Sequence, residues 1–199
     1  MGIVNLVSGG LDSTLVGLLL KEEGLPTYPL FVDYGHRAAK REWNACLTVH
    51  NKYELPQPKR VDLSGYGKLI ISGLTSESMD VNTAAFTPGR NFLFILVGAA
   101  YAYQVGVHAI SIGLLSEQYS LFPDQRKNFL ESAEQSIRYA LNKEIKVVTP
   151  LFEFSKADVL VLAKQRGITD TYSCHEGKEK PCGHCISCLE FGIVKENSK

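Results

Sequence analysis

The chain carries no net charge: 21 lysines and arginines balance 21 aspartates and glutamates among 199 residues. Sequence-blind binding of a nucleic-acid backbone normally goes with a basic surplus, so this balance argues against such a partner. A membrane-spanning run is also lacking. The longest apolar stretch, around Phe92 to Tyr103, is too short to cross a bilayer. Gly2 to Val7 has neither the basic start nor the cleavage site of a secretory leader, so a cytoplasmic location is expected. Repeats, low-complexity tracts and linkers are missing, which leads us to expect one domain over residues 1–199. Two familiar phosphate motifs are missing too: no Gly-Lys-Ser/Thr closes a glycine loop, and there is no Gly-x-Gly-x-x-Gly. What remains, 45% hydrophobic and 21% charged, suits an ordinary globule with room for a core.

The strongest positive signal lies near the start. Ser8-Gly9-Gly10-Leu11-Asp12-Ser13 follows the apolar run Ile3 to Val7 and precedes a helix-like stretch from Thr14 to Glu23. A strand, a glycine turn and a helix start form an anion site, because backbone N–H groups converge at the positive end of the helix. Two glycines allow close backbone approach to a phosphate, and Ser8 and Ser13 add hydroxyls. Val7, Ser8, Gly9, Gly10, Leu11, Asp12, Ser13 and Thr14 are therefore the candidate phosphate contacts. Helix capping by Asp12 or Ser13 is the plainer role. It accounts for one polar residue but not for the glycines and serines around it.

The remaining order reads as alternating strands and helices. Tyr28–Asp33 is a strand, followed by a helix over about 38–52 and a third strand at Lys59–Leu63. Residues 64–87 read as a loop. A Pro88-Gly89 turn then leads through Arg90 and Asn91 into an apolar helix to Gln104. Val107–Gly113 is a fourth strand, Phe122-Pro123-Asp124-Gln125-Arg126 leads into a long helix to about Asn142, and Ile145–Val148 is a fifth strand. Ser155 and Asp158 approach a capping box for a helix that Gly167 ends. This pattern predicts an α/β fold with a mostly parallel sheet covered on both faces. Tyr34 and His36 would then share the carboxyl edge of the sheet with Gly9 and Gly10. Arg90 opposes the dipole of the helix it opens, which suggests a task with a carboxylate or phosphate. Lys156 is a second candidate phosphate charge. Cys46 reads as a small buried residue within its helix.

Four of the five cysteines crowd the tail, as Cys174-x7-Cys182-x2-Cys185-x2-Cys188. Four thiolates at this spacing suit a closed tetrahedral structural Zn²⁺, placing a metal-binding tail over 171–190. His175 and His184 are substitute ligands, and redox chemistry at Cys182 and Cys185 is the rival.

The opening motif resembles the PP-loop of enzymes that split ATP between its α and β phosphates, on a Rossmann-like nucleotide-hydrolase fold. Together with Asp33-Tyr34-Gly35-His36-Arg37 and Glu42, Thr87-Pro88-Gly89-Arg90-Asn91, Pro123-Asp124-Gln125-Arg126, Lys156-Ala157-Asp158 and the cysteine tail, it resembles the 7-cyano-7-deazaguanine synthase (QueC) family. The resemblance implies an ATP-dependent C–N ligase. Such an enzyme activates the carboxylate of 7-carboxy-7-deazaguanine, amidates it with ammonia and dehydrates the amide to a nitrile. Zn²⁺, Mg²⁺ and a homodimer go with it. It implies catalytic roles for Asp12, as Mg²⁺ holder, and for Arg90 and Lys156. Substrate contacts fall on Tyr34, His36, Arg90, Asn91, Asp124 and Arg126. The chain departs from the family at Leu121-Phe122, where Gly-Tyr is usual, at Gln125, where Cys is usual, and at Leu189-Glu190-Phe191, where an Arg is expected. These departures keep a second reading open: a divergent ligase that joins the activated carboxylate to another amine, such as a protein, in anti-phage defence. A tRNA sulfur-transfer enzyme and a non-catalytic nucleotide-binding zinc module are readings of other kinds.

Overall fold

The computed structural model describes residues 2–192. Its elements are β1 (Ile3–Val7), α1 (Leu11–Glu22), β2 (Thr27–Asp33), α2 (Ala39–Lys52), β3 (Lys59–Asp62) and α3 (Ser64–Leu69). There follow α4 (Arg90–Val105), β4 (Ala109–Ser111), α5 (Lys127–Leu141), β5 (Lys146–Val148), α6 (Lys156–Gln165) and α7 (Ile186–Glu190). All five strands are parallel, in the order β3-β2-β1-β4-β5. The order reverses between β1 and β4, and such a switch point opens a crevice beyond the carboxyl ends of the strands.

Strand β1 is buried along its whole length and packs on both faces of the sheet. Val4 and Leu6 meet Ile95 and Ala99 of α4, in a core shared with Leu130 and Ile137 of α5. Ile3 turns to the other side, where Leu15 and Val16 of α1 meet Val159 and Ala163 of α6. Val7 packs with Phe31 of β2 against Trp43 and Cys46 of α2. Burial on two faces is why β1 reads as an unbroken apolar run rather than an alternating one. Its one polar side chain, Asn5, accepts a hydrogen bond of 2.8 Å from the Ser111 hydroxyl on β4.

Two segments depart from the sequence reading. Residues 64–87 are not all loop, because Ser64–Leu69 forms α3. Gly67 donates its N–H to the Tyr34 carbonyl at 2.8 Å, and a Cβ there would lie 2.5 Å from that oxygen. The glycine serves close approach rather than a turn. As expected, residues 122–126 lead into a helix: Pro123–Gln125 is a 3-10 turn, Arg126 is extended, and α5 runs from Lys127 to Leu141. Strand β4 is also shorter than the apolar run at 107–113. The capping box at Ser155 and Asp158 forms as expected, with Asp158 N–H donating to Ser155 Oγ at 3.2 Å.

Candidate functional site

The turn from β1 into α1 is built so that no side chain covers the first turn of the helix. Gly10 is the N-cap, with φ −80° and ψ 169°, and makes no side-chain cap. The capping role open to Asp12 or Ser13 is not taken. Ser13 instead donates to the Gly10 carbonyl at 3.2 Å, and Thr14 donates to the same oxygen at 2.8 Å. Ser8 Oγ accepts the Gly10 N–H at 3.2 Å. The two glycines have different reasons. Gly9 has φ +76°, and a Cβ on it would fall 2.4 Å from the Cys46 nitrogen on α2. It is required by helix packing as well as by the turn. A Cβ on Gly10 would meet the Ser8 and Ser173 hydroxyls, at 3.2 and 3.3 Å, and the Tyr172 carbonyl at an ordinary 3.5 Å.

Two cavities meet at this turn. One, of about 300 Å³, lies over the ends of β1 and β2, walled by Ser8, Tyr34, His36, Arg90, Asn91 and Phe94. The other, of about 230 Å³, reaches toward Lys156, Tyr172, Ser173, Leu121 and Glu190. Ser8, Asp12, Ser13, Glu42, Arg90 and His175 belong to both. The arrangement leaves the turn open between two separate spaces that share its polar side chains.

The charges in this space are arranged unevenly. Lys156 Nζ donates to both oxygens of Asp12, at 2.8 and 3.0 Å, and sits 4.2 Å from the centre of the Phe191 ring. Glu190 is 4.0 Å from the same ammonium, and burial raises its pKa above the usual carboxylate range. Arg90 reaches the Tyr34 hydroxyl at 3.5 Å. Among the described residues no carboxylate pairs with it, so its charge is open to an anion. Burial raises the pKa of the Tyr34 phenol, which stays protonated. His36 stacks on Tyr34 at 4.2 Å and contacts Glu42 Oε2 at 2.8 Å through Nε2. Burial pushes the pKa of His175 down to about 4, so its imidazole is neutral.

Of the residues expected at a ligand, Tyr34, His36, Arg90 and Asn91 line the first cavity, and Lys156 lines the second. Asp124 and Arg126 are placed elsewhere. The Asn91 N–H donates to Asp124 Oδ2 at 3.3 Å, and the Asn91 amide donates to the Asp124 carbonyl at 3.0 Å. Asp124 thereby caps the start of α4, which carries Arg90. Arg126 is exposed at the head of α5 and lines neither cavity. The sequence reading gave no role in the site to His175 beyond a substitute ligand, and none to Glu190. The stretch from Tyr172 to His175 reaches the turn only through the fold: Tyr172 N–H donates to the Gly9 carbonyl at 3.0 Å.

That segment leads directly into the cysteine tail. All four sulfurs, of Cys174, Cys182, Cys185 and Cys188, are buried, free of disulfides and within 4.8 Å of one another. Cys182 and Cys188 sulfurs are 3.9 Å apart. Four thiolates about 2.3 Å from a tetrahedral ion stand about 3.8 Å from each other, so this cluster has the dimensions of a metal site. Backbone N–H groups already serve the sulfurs: Cys182 donates to Cys174 Sγ and Cys185 to Cys182 Sγ, both at 3.3 Å. Among these interacting thiols, against a burial penalty, hydrogen bonding lowers the pKa of Cys182 to about 7, whereas burial raises those of Cys185 and Cys188. Residues 72–87 wrap this cluster. Leu74 and Val81 pack on the cysteines, and Asn82 accepts from Ile186 N–H at 2.9 Å. The segment that reads as loop is therefore the outer wall of the cysteine site.

Comparison with known proteins agrees with this geometry. The 7-cyano-7-deazaguanine synthase of Acetivibrio thermocellus is 34% identical over 213 aligned positions, covering 96% of this chain and 94% of that protein. The 7-cyano-7-deazaguanine synthase of Prochlorococcus marinus strain MIT 9515 is 35% identical, covering 93% of this chain and 89% of that protein. Among solved structures, an NMN synthetase from Francisella tularensis superposes with a TM-score of 0.59 at 16% identity, covering 97% of this chain and 73% of that one. A 4-thiouridine synthetase in a complex with RNA and bound ATP gives 0.54 at 17% identity, covering 96% of this chain and 49% of that one. Those two likenesses are of fold alone. The family described as "Queuosine biosynthesis protein QueC" matches residues 2–191, and with these relatives it establishes that the chain belongs to the QueC family.

Proposed function

We propose that the protein activates the carboxylate of 7-carboxy-7-deazaguanine with ATP, amidates it with ammonia and dehydrates the amide to 7-cyano-7-deazaguanine. The observation that carries this reading is the uncapped start of α1 between two cavities that share Arg90. A carboxylate is a poor electrophile, and adenylation gives it a leaving group. ATP lies with its phosphates on the N–H groups of the first turn of α1 and its adenosine in the cavity at Tyr34 and Phe94. The deazapurine occupies the cavity toward Lys156 and Tyr172. Arg90 neutralises charge developing at the α-phosphorus. Asp12 is shared between Lys156 and a Mg²⁺ that accompanies ATP, a hard ion suited to carboxylate and phosphate oxygens. Lys156 thus acts on phosphate while aligning Asp12. Asp124 serves by holding Asn91 and Arg90 in place rather than by touching substrate.

The four cysteines would hold a structural Zn²⁺, since four thiolates suffice to fill a tetrahedral shell. Its work is to fix Tyr172 to His175 against the phosphate turn. With ATP, Mg²⁺, ammonia and the carboxylate, the purified protein should form nitrile and AMP. Formation of amide alone would reject the dehydrating step, and no carboxylate-dependent pyrophosphate release would reject the reading as a whole.

A second reading is favoured by one observation. Leu121 lines the second cavity yet is 58% exposed at its rim, and Gln125 Oε1 holds the loop by accepting the Leu121 and Phe122 N–H groups, each at 2.9 Å. An apolar rim suits a larger amine, such as a protein's, better than ammonia. Intact-mass analysis of co-expressed neighbouring proteins would reveal an added deazapurine. Unchanged masses throughout would remove this reading.

A further inference from the structure

We propose that Glu42, oriented by His36, is the subsite that holds the cationic amine and takes its proton as it attacks. The inference rests on the amidation proposed above and assigns its third reactant a place.

Glu42 is in the wall that the two cavities share, with its side chain 17% exposed. The other two charges in that wall are differently occupied. Asp12 is matched by Lys156, and Arg90 faces the space where anions sit. Glu42 has no lysine or arginine within 4.0 Å among the described residues; its partner is His36. Arg90 is the cation it feels at longer range across the shared wall, and a carboxylate with no lysine or arginine in contact repels both the polyphosphate and the substrate carboxylate. It attracts the one reactant that arrives positively charged, an ammonium or primary ammonium group.

His36 makes the arrangement rigid. Its side chain is 5% exposed and lies flat on Tyr34, with ring planes 10° apart. Nε2 contacts Glu42 Oε2, whereas Nδ1 is buried and has no hydrogen-bond partner. The neutral tautomer with its proton on Nε2 fits both facts, since a proton on Nδ1 would bury an unmet donor. His36 therefore donates to Oε2 and leaves Oε1 for the amine. In the step itself, Glu42 accepts one proton from the ammonium and the nitrogen lone pair forms the C–N bond. The bond from the carbonyl carbon to the AMP oxygen breaks, its electron pair leaving with AMP. The second N–H proton is released to water. Glu42 is thus a catalytic residue, and His36 a positioning residue acting through it.

The test uses the full-length metal-loaded chain and follows two half-reactions. Carboxylate-dependent exchange of pyrophosphate into ATP reads adenylation. Amide formation against ammonia concentration reads attack. Glu42→Gln should leave exchange within about 3-fold and cut amide formation about 100-fold, the scale of a lost general base. The ammonia concentration for half-maximal rate should rise as well. Hydroxylamine, which is neutral near pH 7.5, should be used by Glu42→Gln far more nearly at the wild-type rate than ammonia. His36→Ala should raise the ammonia requirement, and His36→Gln, which keeps a donor, should restore it in part. Should Glu42→Gln not fold, Glu42→Asp is read in the same way, with shortened reach in place of lost charge. Unchanged amidation by the variant would overturn the proposal. So would loss of exchange repaired by raised Mg²⁺, which would make Glu42 a metal holder. A wild-type protein with no exchange would instead overturn the amidation reading, so the two failures are separable.

Discussion

The two ends of the chain build facing walls of one site by opposite means. At the start, residues 3–22 make a strand, a turn and a helix whose own backbone forms the binding surface. Near the other end, residues 171–191 hold only the short helix α7, and four sulfurs do the work of a core. The first wall draws its stability from the sheet: Val4 is fully buried, and Leu15 and Val16 are too. The second has little apolar surface of its own and packs around the cysteine cluster. They touch where the Tyr172 N–H donates to the Gly9 carbonyl, so the cysteine cluster is tied to the glycine turn without lying in it.

The comparison breaks most severely if the metal is removed. Chelation, or Cys185→Ala, should release the tail and cut activity about 100-fold or more, because a bound ion carries most of the folding energy of such a segment. Metal content, thermal unfolding and turnover measured on one sample would check it. Full activity without metal would mean that the tail is held by packing alone.

The opposite wall should respond differently. Asp12→Asn leaves Lys156 without its carboxylate and should lower turnover about 100-fold or more, the scale of a lost electrostatic group in a water-excluded site. The metal stoichiometry should not change, which plasma emission spectroscopy on the purified variant would show. Gly9→Ala combines a left-handed backbone with a clash against α2, so a loss of about 3 kcal/mol is expected in denaturant unfolding. Gly10→Ala, facing two hydroxyls and a carbonyl at ordinary contact distance, should cost about 1 kcal/mol or less in stability and act mainly on ATP affinity. Ser155→Ala should leave activity alone and act on stability only. Loss of the capping box should cost about 1 kcal/mol, or about 3 °C in Tm for a chain of this size.

The same contrast explains what was legible in the sequence. The β1–α1–β2–α2 unit shows in the order of apolar runs and turns because each piece is fixed by neighbours in sequence. The cysteine spacing is equally local. Three features are invisible to that kind of reading. Helix α3 carries Gly65 and Gly67, which count against a helix until the Tyr34 carbonyl is seen to need the space beside Gly67. The pairing of Lys156 with Asp12 joins residues 144 apart in the chain. The inward placement of His175 and Glu190 follows from how the tail folds back, for which periodicity offers no signal. Asp124 has a contact that its motif does not show: its carboxylate accepts the Asn91 N–H at the start of α4, across 33 residues of chain.

The most direct test of the central claim is the identity of the nucleotide product. ATP labelled at its α-phosphate, incubated with the protein, Mg²⁺, ammonia and 7-carboxy-7-deazaguanine, should yield labelled AMP, with pyrophosphate released in equal amount and both dependent on the carboxylate. Labelled ADP would contradict it, since the turn at Gly9 and Gly10 would then be serving cleavage at the terminal phosphate instead.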